Sequence, residues 1–384
     1  MSAPGRLLLL PSVHVIEEGG ALRMDRKFRD GLALHARDWA GPMRVVIRAG
    51  HADLPFADRV DPADLPCELI VIGADAPITP AHLDGVAVIL AAADDARQLH
   101  LPGMARAAGA RLVYAVEYDL RTRLRIARLD LAGHPLRMLR SWQWLAAQEV
   151  RRRRALAAAD AVQANGFPAR RAYGGIARDL LLYLDGRMSA DRMAGPAAAE
   201  ARAARTGPLR MVWAGRLAPM KGAQDIVPLA RALRARGVDF TLDVFGDGPL
   251  AGDIARAAGP LDGRLRLHGP VDFDTVLVPA MRDGADLFLA QHRQSDPSCA
   301  YLEAMGCGVP VAGAANRMWS ELARVSGGGW VMPPGRPEAQ ADIIAGLSRP
   351  AILAAGARAL RFARDHDSGA EFRRRMDHLR RIAP

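Results

Sequence analysis

Arg216 and Lys221 stand five residues apart in the segment LRMVWAGRLAPMKG (209–222), where an apolar run stops at Gly215 and a Lys-Gly pair opens the next helical stretch. A strand that ends on glycine and feeds a helix N-terminus leaves backbone N–H groups unpaired. It also puts the positive end of the helix dipole at the same spot, so the turn is a ready anion site. Two cationic side chains extend that site to an anion carrying several charges. Lysine is rare here: Lys27 and Lys221 are the only two among 52 basic residues. The ordinary alternative for Lys221 is a solvated surface charge.

Further glycine turns follow in order. Phe245-Gly246-Asp247-Gly248-Pro249 reads as a strand ending in a tight turn before a helix, and Leu267-His268-Gly269 as another strand stopped by glycine. Next comes SDPSCAYLEAM (295–305), followed by GCGVPVAG (306–313). Asp296 before Pro297 suits either a turn with a helix cap or a carboxylate offered to a ligand. Glu303 reads as a carboxylate at a helix start or as a surface helix residue. Two D-x-D pairs, Asp272/Asp274 and Asp365/Asp367, have the letters of a metal-binding carboxylate pair. The first fits a helix start better and the second lies near the tail, so no metal site is expected.

Strands and helices alternate along most of the chain, which argues for parallel sheets in an α/β architecture. The first half reads as strands over 6–16, 43–49, 68–73, 86–92, 111–117, 160–165 and 180–184, with helices over 25–36, 120–131 and 135–159. Ala, Gly, Pro and Arg dominate 188–208 without apolar periodicity, the pattern of an interdomain linker. Six strands then run over 209–215, 240–246, 265–269, 285–290, 309–313 and 329–332. The expected organisation is a domain over 1–187, the linker, a second domain over 209–366, and a C-terminal helical segment over 367–384 packing back on the first. Both domains are expected to be doubly wound, facing across a cleft, with ligands at the carboxyl ends of the strands.

With 384 residues, half of them apolar and 24% charged, the chain is long enough for two such cores. Cys67, Cys299 and Cys307 show neither disulfide nor metal spacing, which favours a reducing, cytoplasmic setting. The apolar run at residues 7–10 ends at Pro11, too short for a membrane span. A net charge of +10 implies an acidic partner. Only 5% of residues are aromatic and no nucleic-acid-binding module is recognisable, so nucleic acid is not the expected partner. Between Arg121 and Arg154, arginines interleave with Leu124, Ile126, Leu131, Leu136, Leu139, Trp142 and Trp144. That pattern suits an anionic membrane interface, or a solvated arginine face over core leucines. The first strand lacks the G-x-G-x-x-G turn of a dinucleotide-binding oxidoreductase.

Taken together, the turns at 215–222, 245–249, 267–269 and 295–313 resemble those of the retaining nucleotide-sugar glycosyltransferases of family four, which have the GT-B fold. The phrases DPSCAYLEAMGCGVPVAG (296–313) and DAVQANGFPA (160–169) look like a bacterial polysaccharide-assembly branch. The resemblance implies that Arg216 and Lys221 grip the diphosphate of a donor of the UDP- or GDP-sugar type. A leaving diphosphate gains negative charge in the transition state, so fixed cations there raise the rate without a metal cofactor. It further implies donor contacts from Gly215, Gly246 and Gly269, from the backbone N–H groups of Ser298, Cys299 and Ala300, and from Glu303, which would take the ribose hydroxyls. The family's other glutamate falls at Ser295, and Asp296 is the neighbouring candidate for the sugar hydroxyls. In the first domain the resemblance places a glycine loop near donor and acceptor, which Gly19-Gly20 would supply beside Glu17 and Glu18, unless the pair is a plain tight turn. Glu117, at a strand's carboxyl end, is the candidate to bind sugar hydroxyls or orient an acceptor hydroxyl as base, or else to cap the next helix. The implied activity is transfer of the sugar, with retention, to a glycan or lipid-linked acceptor in bacterial surface or exopolysaccharide synthesis. The setting would be the cytoplasm, at the inner face of the cell membrane. The departure at Ser295 leaves a second outcome, an inactive or hydrolytic binder of the same fold.

Overall fold

Alternate residues of the N-terminal apolar runs go to opposite faces of one sheet, and both faces are covered. Leu8, Leu10, Ile89, Leu112 and Tyr114 share one core, while Leu7, Leu9, Val45, Val88 and Val113 share the other. Two-sided burial is why these strands read as continuous apolar runs rather than alternating ones. The computed structural model describes residues 5–52, 54 and 57–384. In chain order its first half comprises β1 (Arg6–Leu10), β2 (His14–Glu18), β3 (Ala21–Asp25), α1 (Arg26–Asp38), β4 (Met43–Ala49), β5 (Ala57–Val60), β6 (Glu68–Ile72), β7 (Val86–Ala92), α2 (Leu101–Ala107), β8 (Arg111–Val116), α3 (Leu120–Asp130), α4 (Pro135–Ala158), β9 (Ala161–Asn165), α5 (Gly166–Tyr173) and β10 (Leu180–Tyr183). The sheet runs β10-β9-β8-β7-β1-β4-β2-β3-β5, with β6 also paired to β4.

The second half comprises α6 (Pro196–Ala203), β11 (Leu209–Ala214), α7 (Ile226–Ala235), β12 (Phe240–Phe245), α8 (Ala251–Ala258), β13 (Leu265–Gly269), α9 (Val278–Gly284), β14 (Leu287–Ala290), α10 (Cys299–Gly306), β15 (Val311–Ala314), α11 (Arg317–Ser326), β16 (Gly329–Met332), α12 (Pro337–Ala345), α13 (Arg349–Asp365) and α14 (Ser368–Ile382). Its sheet is ordered β13-β12-β11-β14-β15-β16, and every pairing in it is parallel. This is the doubly wound order in which the chain reverses direction between its first and fourth strands, here β11 and β14. In such sheets ligands bind beyond the carboxyl ends of the strands at that switch point.

The structure corrects several expectations. The strand read over 6–16 is two strands, because Pro11 cannot donate to the ladder and ends β1. β2 then turns back through Gly19 and Gly20, with φ of +57° and +85°, into the antiparallel β3, and β5 adds a further antiparallel strand. Both central residues at positive φ is the hairpin turn that glycine serves best. Residues 188–208 are not a linker. α6 lies within them, and the buried Arg202 donates to the carbonyls of Arg282, Ala285, Cys307 and Gly308. The chain divides into one unit of residues 1–120, 143–183 and 372–384 and another of 121–142 and 184–371. The first unit therefore takes most of α14, whose Phe372, Met376 and Leu379 enter the core with Leu7 and Leu9. The second takes α3: Arg125 Nε donates to the Arg293 carbonyl at 3.1 Å.

Candidate functional site

At the switch point of the second sheet, the loop after β11 meets the loop after β14. Lys221 Nζ donates to Asp296 Oδ2 at 2.6 Å and reaches Ser298 Oγ at 3.4 Å. Glycine makes this approach possible. Gly222 has φ +72°, and a Cβ on it would lie 1.8 Å from the Gln291 carbonyl oxygen. Only a residue without a side chain lets the Lys221 turn sit against the end of β14. Gly246 does the same one strand away, where a Cβ would lie 1.9 Å from the Gly215 carbonyl oxygen. The three predicted glycines are linked through the backbone, since Gly215 N–H donates to the Phe245 carbonyl at 3.0 Å and Gly246 N–H to that of Gly269 at 2.7 Å. Arg216 leaves Gly215 into solvent, and among the described residues its guanidinium has no ion-pair partner. One cation of the pair is held and the other is free.

Asp296 is 6% exposed. Burial pushes its carboxyl up, but the Lys221 ammonium, by charge and hydrogen bond, holds it below the ordinary value. Among the described residues its Oδ1 finds no hydrogen-bond partner, nor does His292 Nδ1, which lies 3.6 Å away. Burial and the neighbouring Lys221 charge keep His292 neutral by lowering its pKa to about 3. Asp296 does not cap the helix. Ser298 occupies the N-cap position of α10, with Cys299 and Ala300 half-buried in its first turn.

Glu303 is not at a helix start. It sits midway along α10, 3% exposed, and Arg187 Nε donates to its Oε1 at 2.7 Å, with the Arg187 guanidinium stacked 3.9 Å over the Phe273 ring. A buried carboxylate with one oxygen held by arginine is fixed in orientation, and it is not the surface residue its polarity suggests. Ser295, where the family's other glutamate falls, accepts the Arg317 N–H at 3.1 Å. Its hydroxyl is used at the start of α11, whose N-cap is Asn316. Of the D-x-D pairs, Asp272 Oδ1 caps the turn at Asp274 and Thr275, and Asp274 pairs with Arg192 at 2.6 Å. Asp367 caps Gly369 and Ala370. No group of three or more metal-ligating side chains occurs among the described residues.

In the first unit, Glu117 follows the carboxyl end of β8. Its backbone N–H donates to Asp94 Oδ2 at 2.8 Å, and its Oε1 accepts from Asn165 Nδ2 at 3.3 Å. Asp94, Glu117 and Asn165 thus stand at the carboxyl ends of the neighbouring strands β7, β8 and β9. Asp94 and Asn165 were not singled out from the sequence, although each closes an apolar strand. Gly19 and Gly20 form the β2–β3 hairpin tip, not a loop between the first strand and a helix, and a Cβ on either would touch nothing within 4 Å. His292, Gln294 and Arg187 also escaped notice. Only the position of His292 just past a strand end marks it, and nothing in the local sequence marks Arg187.

Residues 208–349 match the family model described as "Glycosyl transferases group 1". The matched stretch lies within the second unit. An Erwinia amylovora glycosyltransferase named for amylovoran biosynthesis is 30% identical over 39% of this chain and 40% of its own. The WcaL protein of Salmonella typhimurium, named for colanic acid biosynthesis, is 29% identical over 37% of this chain and 36% of its own. The matches thus span two-fifths or less of those relatives. The Anabaena HepE structure with UDP has a TM-score of 0.64 at 18% identity and covers 97% of this chain and 98% of that one. The fold is therefore GT-B, and the Lys221–Asp296 contact lies inside the stretch that the family model matches.

Proposed function

We propose that the chain transfers a sugar, with retention, from a nucleotide-diphosphate sugar to an acceptor hydroxyl in polysaccharide assembly. The observation that carries this reading is the Lys221–Asp296–Ser298 cluster, with a solvent-exposed Arg216 on the same loop after β11, at the switch point of the sheet within the stretch matched by a group 1 glycosyltransferase model. UDP in the Anabaena neighbour supports a uridine donor, with GDP-sugars the other class. Arg216 and Lys221 bind the diphosphate, the first turn of α10 offers its N–H groups to the same phosphates, and the unshared oxygen of Glu303 takes the ribose hydroxyls. The acceptor oxygen attacks the anomeric carbon from the face the diphosphate leaves. The carbon–oxygen bond to phosphate breaks as the new glycosidic bond forms, and the acceptor proton passes to the departing diphosphate. Glu117, held by Asn165, binds sugar or acceptor hydroxyls. No protein nucleophile and no metal take part. The acceptor is a glycan or lipid-linked sugar, and the enzyme works at the inner face of the cell membrane.

One observation favours a second reading. Ser295 offers no carboxylate and its hydroxyl is engaged, so a protein that binds or hydrolyses the donor without transfer is the alternative. A thermal-shift panel of nucleotide sugars tests the shared part: UDP- or GDP-sugars should raise the melting temperature, and no stabilisation by any of them would refute both readings. Product analysis with oligosaccharide acceptors separates them, because transfer requires an elongated glycan and the alternative yields free sugar or nothing.

A further inference from the structure

α4 turns an apolar and basic face to solvent. Leu136 is 76% exposed, Trp144 55%, Leu139 and Val150 51% each. The other exposed large hydrophobics among the described residues are single valines at 276, 325 and 331, so the largest ones gather on this helix. At 100° per residue, Leu136, Leu139, Trp144 and Val150 fall with Arg140, Arg151 and Arg154 inside an arc of about 140°. Arg137 stands at its border. The helix has one acidic residue, Glu149, which is buried and paired with Arg152 and Arg153 at 2.9 and 3.0 Å. Among the described residues, Arg137, Arg140, Arg151 and Arg154 have no acidic partner. A solvated helix face mixes both signs of charge and hides its leucines. This face carries one sign and shows leucine and tryptophan.

We infer that this face of α4 docks on a bilayer surface containing anionic lipids. Single-sign charge complements lipid phosphates, and the interleaved Leu136, Leu139 and Trp144 enter the boundary between headgroups and acyl chains while the arginines extend to the phosphates. A helix of 24 residues lies along the surface for about 36 Å. Among the described residues no single helix is long and apolar enough to cross a membrane, so the association is peripheral. It uses none of the donor-site residues and rests only on the membrane setting of the proposed function, not on sugar transfer.

Flotation of the full chain with phosphatidylcholine vesicles, with and without phosphatidylglycerol, tests this. The protein should float with the anionic vesicles, and less so as salt rises. The charge variant R137Q/R140Q/R151Q/R154Q should lower binding by about fivefold per arginine removed. The apolar variant L136S/L139S/W144S should abolish the part of binding that survives salt, and brominated lipids should quench Trp144 fluorescence in the unaltered chain. Each variant should keep its melting temperature and its thermal shift with nucleotide, which separates a failed docking surface from a failed donor site. Absence of flotation at low salt, flotation untouched by both variants, or burial of this face in a self-associated oligomer would overturn the inference.

Discussion

Removing the Lys221 ammonium strands a carboxylate. Asp296 Oδ1 already lacks a hydrogen-bond partner among the described residues, and loss of Lys221 would leave the other oxygen without its ammonium as well. Lys221→Ala should therefore abolish transfer and cost about 3 kcal/mol of stability, read by denaturant titration. Adding Asp296→Ala should restore most of that stability without restoring turnover, so the cycle separates the electrostatic partnership from catalysis. If Asp296→Ala alone leaves stability and turnover intact, the partnership matters to neither. Arg216 behaves oppositely: it is exposed and unpaired, so Arg216→Ala should change stability by less than about 0.5 kcal/mol while turnover falls. Arg216 and Lys221 stood out from the glycine turn that carries them, whereas Asp296 and Glu303 were singled out through the family resemblance. Their partners were not, because Arg187 reaches Glu303 from 116 positions away and no local pattern encodes such a contact.

Elements decide which glycines matter. Gly222 and Gly246 allow one loop to rest on another backbone, whereas Gly20 only reverses a hairpin. Gly246→Ala should collapse nucleotide binding, since its Cβ would collide with the Gly215 carbonyl. Gly20→Ala should cost about 1–2 kcal/mol through its positive φ and leave nucleotide affinity unchanged. Equal affinity losses would mean that the hairpin tip belongs to the donor site after all. In the second sheet β11, β14 and β15 were legible because burial on both faces makes them nearly continuous apolar runs, while β13, with Arg266 and His268 exposed, was marked mainly by the glycine that stops it. The β2–β3 hairpin was not, since Leu7–Ile16 reads as one apolar stretch unless Pro11 is given its full weight as a ladder breaker. α6 was missed because its packing rests on one buried arginine amid alanine, a composition that resembles a linker.

At the scale of the molecule, length and composition foretold two cores and a cationic chain, and residues 121–154 stood out as the place where arginines gather; which of those side chains are exposed and which are buried, as Arg152 is, came only from the packing. Acid should weaken the fold through His292. Unfolded, it takes up a proton near its ordinary value of 6.5; folded, it stays neutral down to about 3. The unfolded state thus binds more protons between those limits, and stability falls as pH drops through that window. The loss is about 2 kcal/mol by pH 5, and His292→Asn should flatten that dependence in thermal melts. A diphosphate clamp formed by Arg216 and Lys221 requires that each cation contribute to nucleotide affinity. Calorimetric titration of UDP and GDP into the unaltered chain and into Arg216→Ala tests it most directly. At least one nucleotide should bind the former, and its affinity should be about tenfold or more weaker in the latter, with the melting temperature of the free protein unchanged. Equal affinities in the two proteins would contradict it.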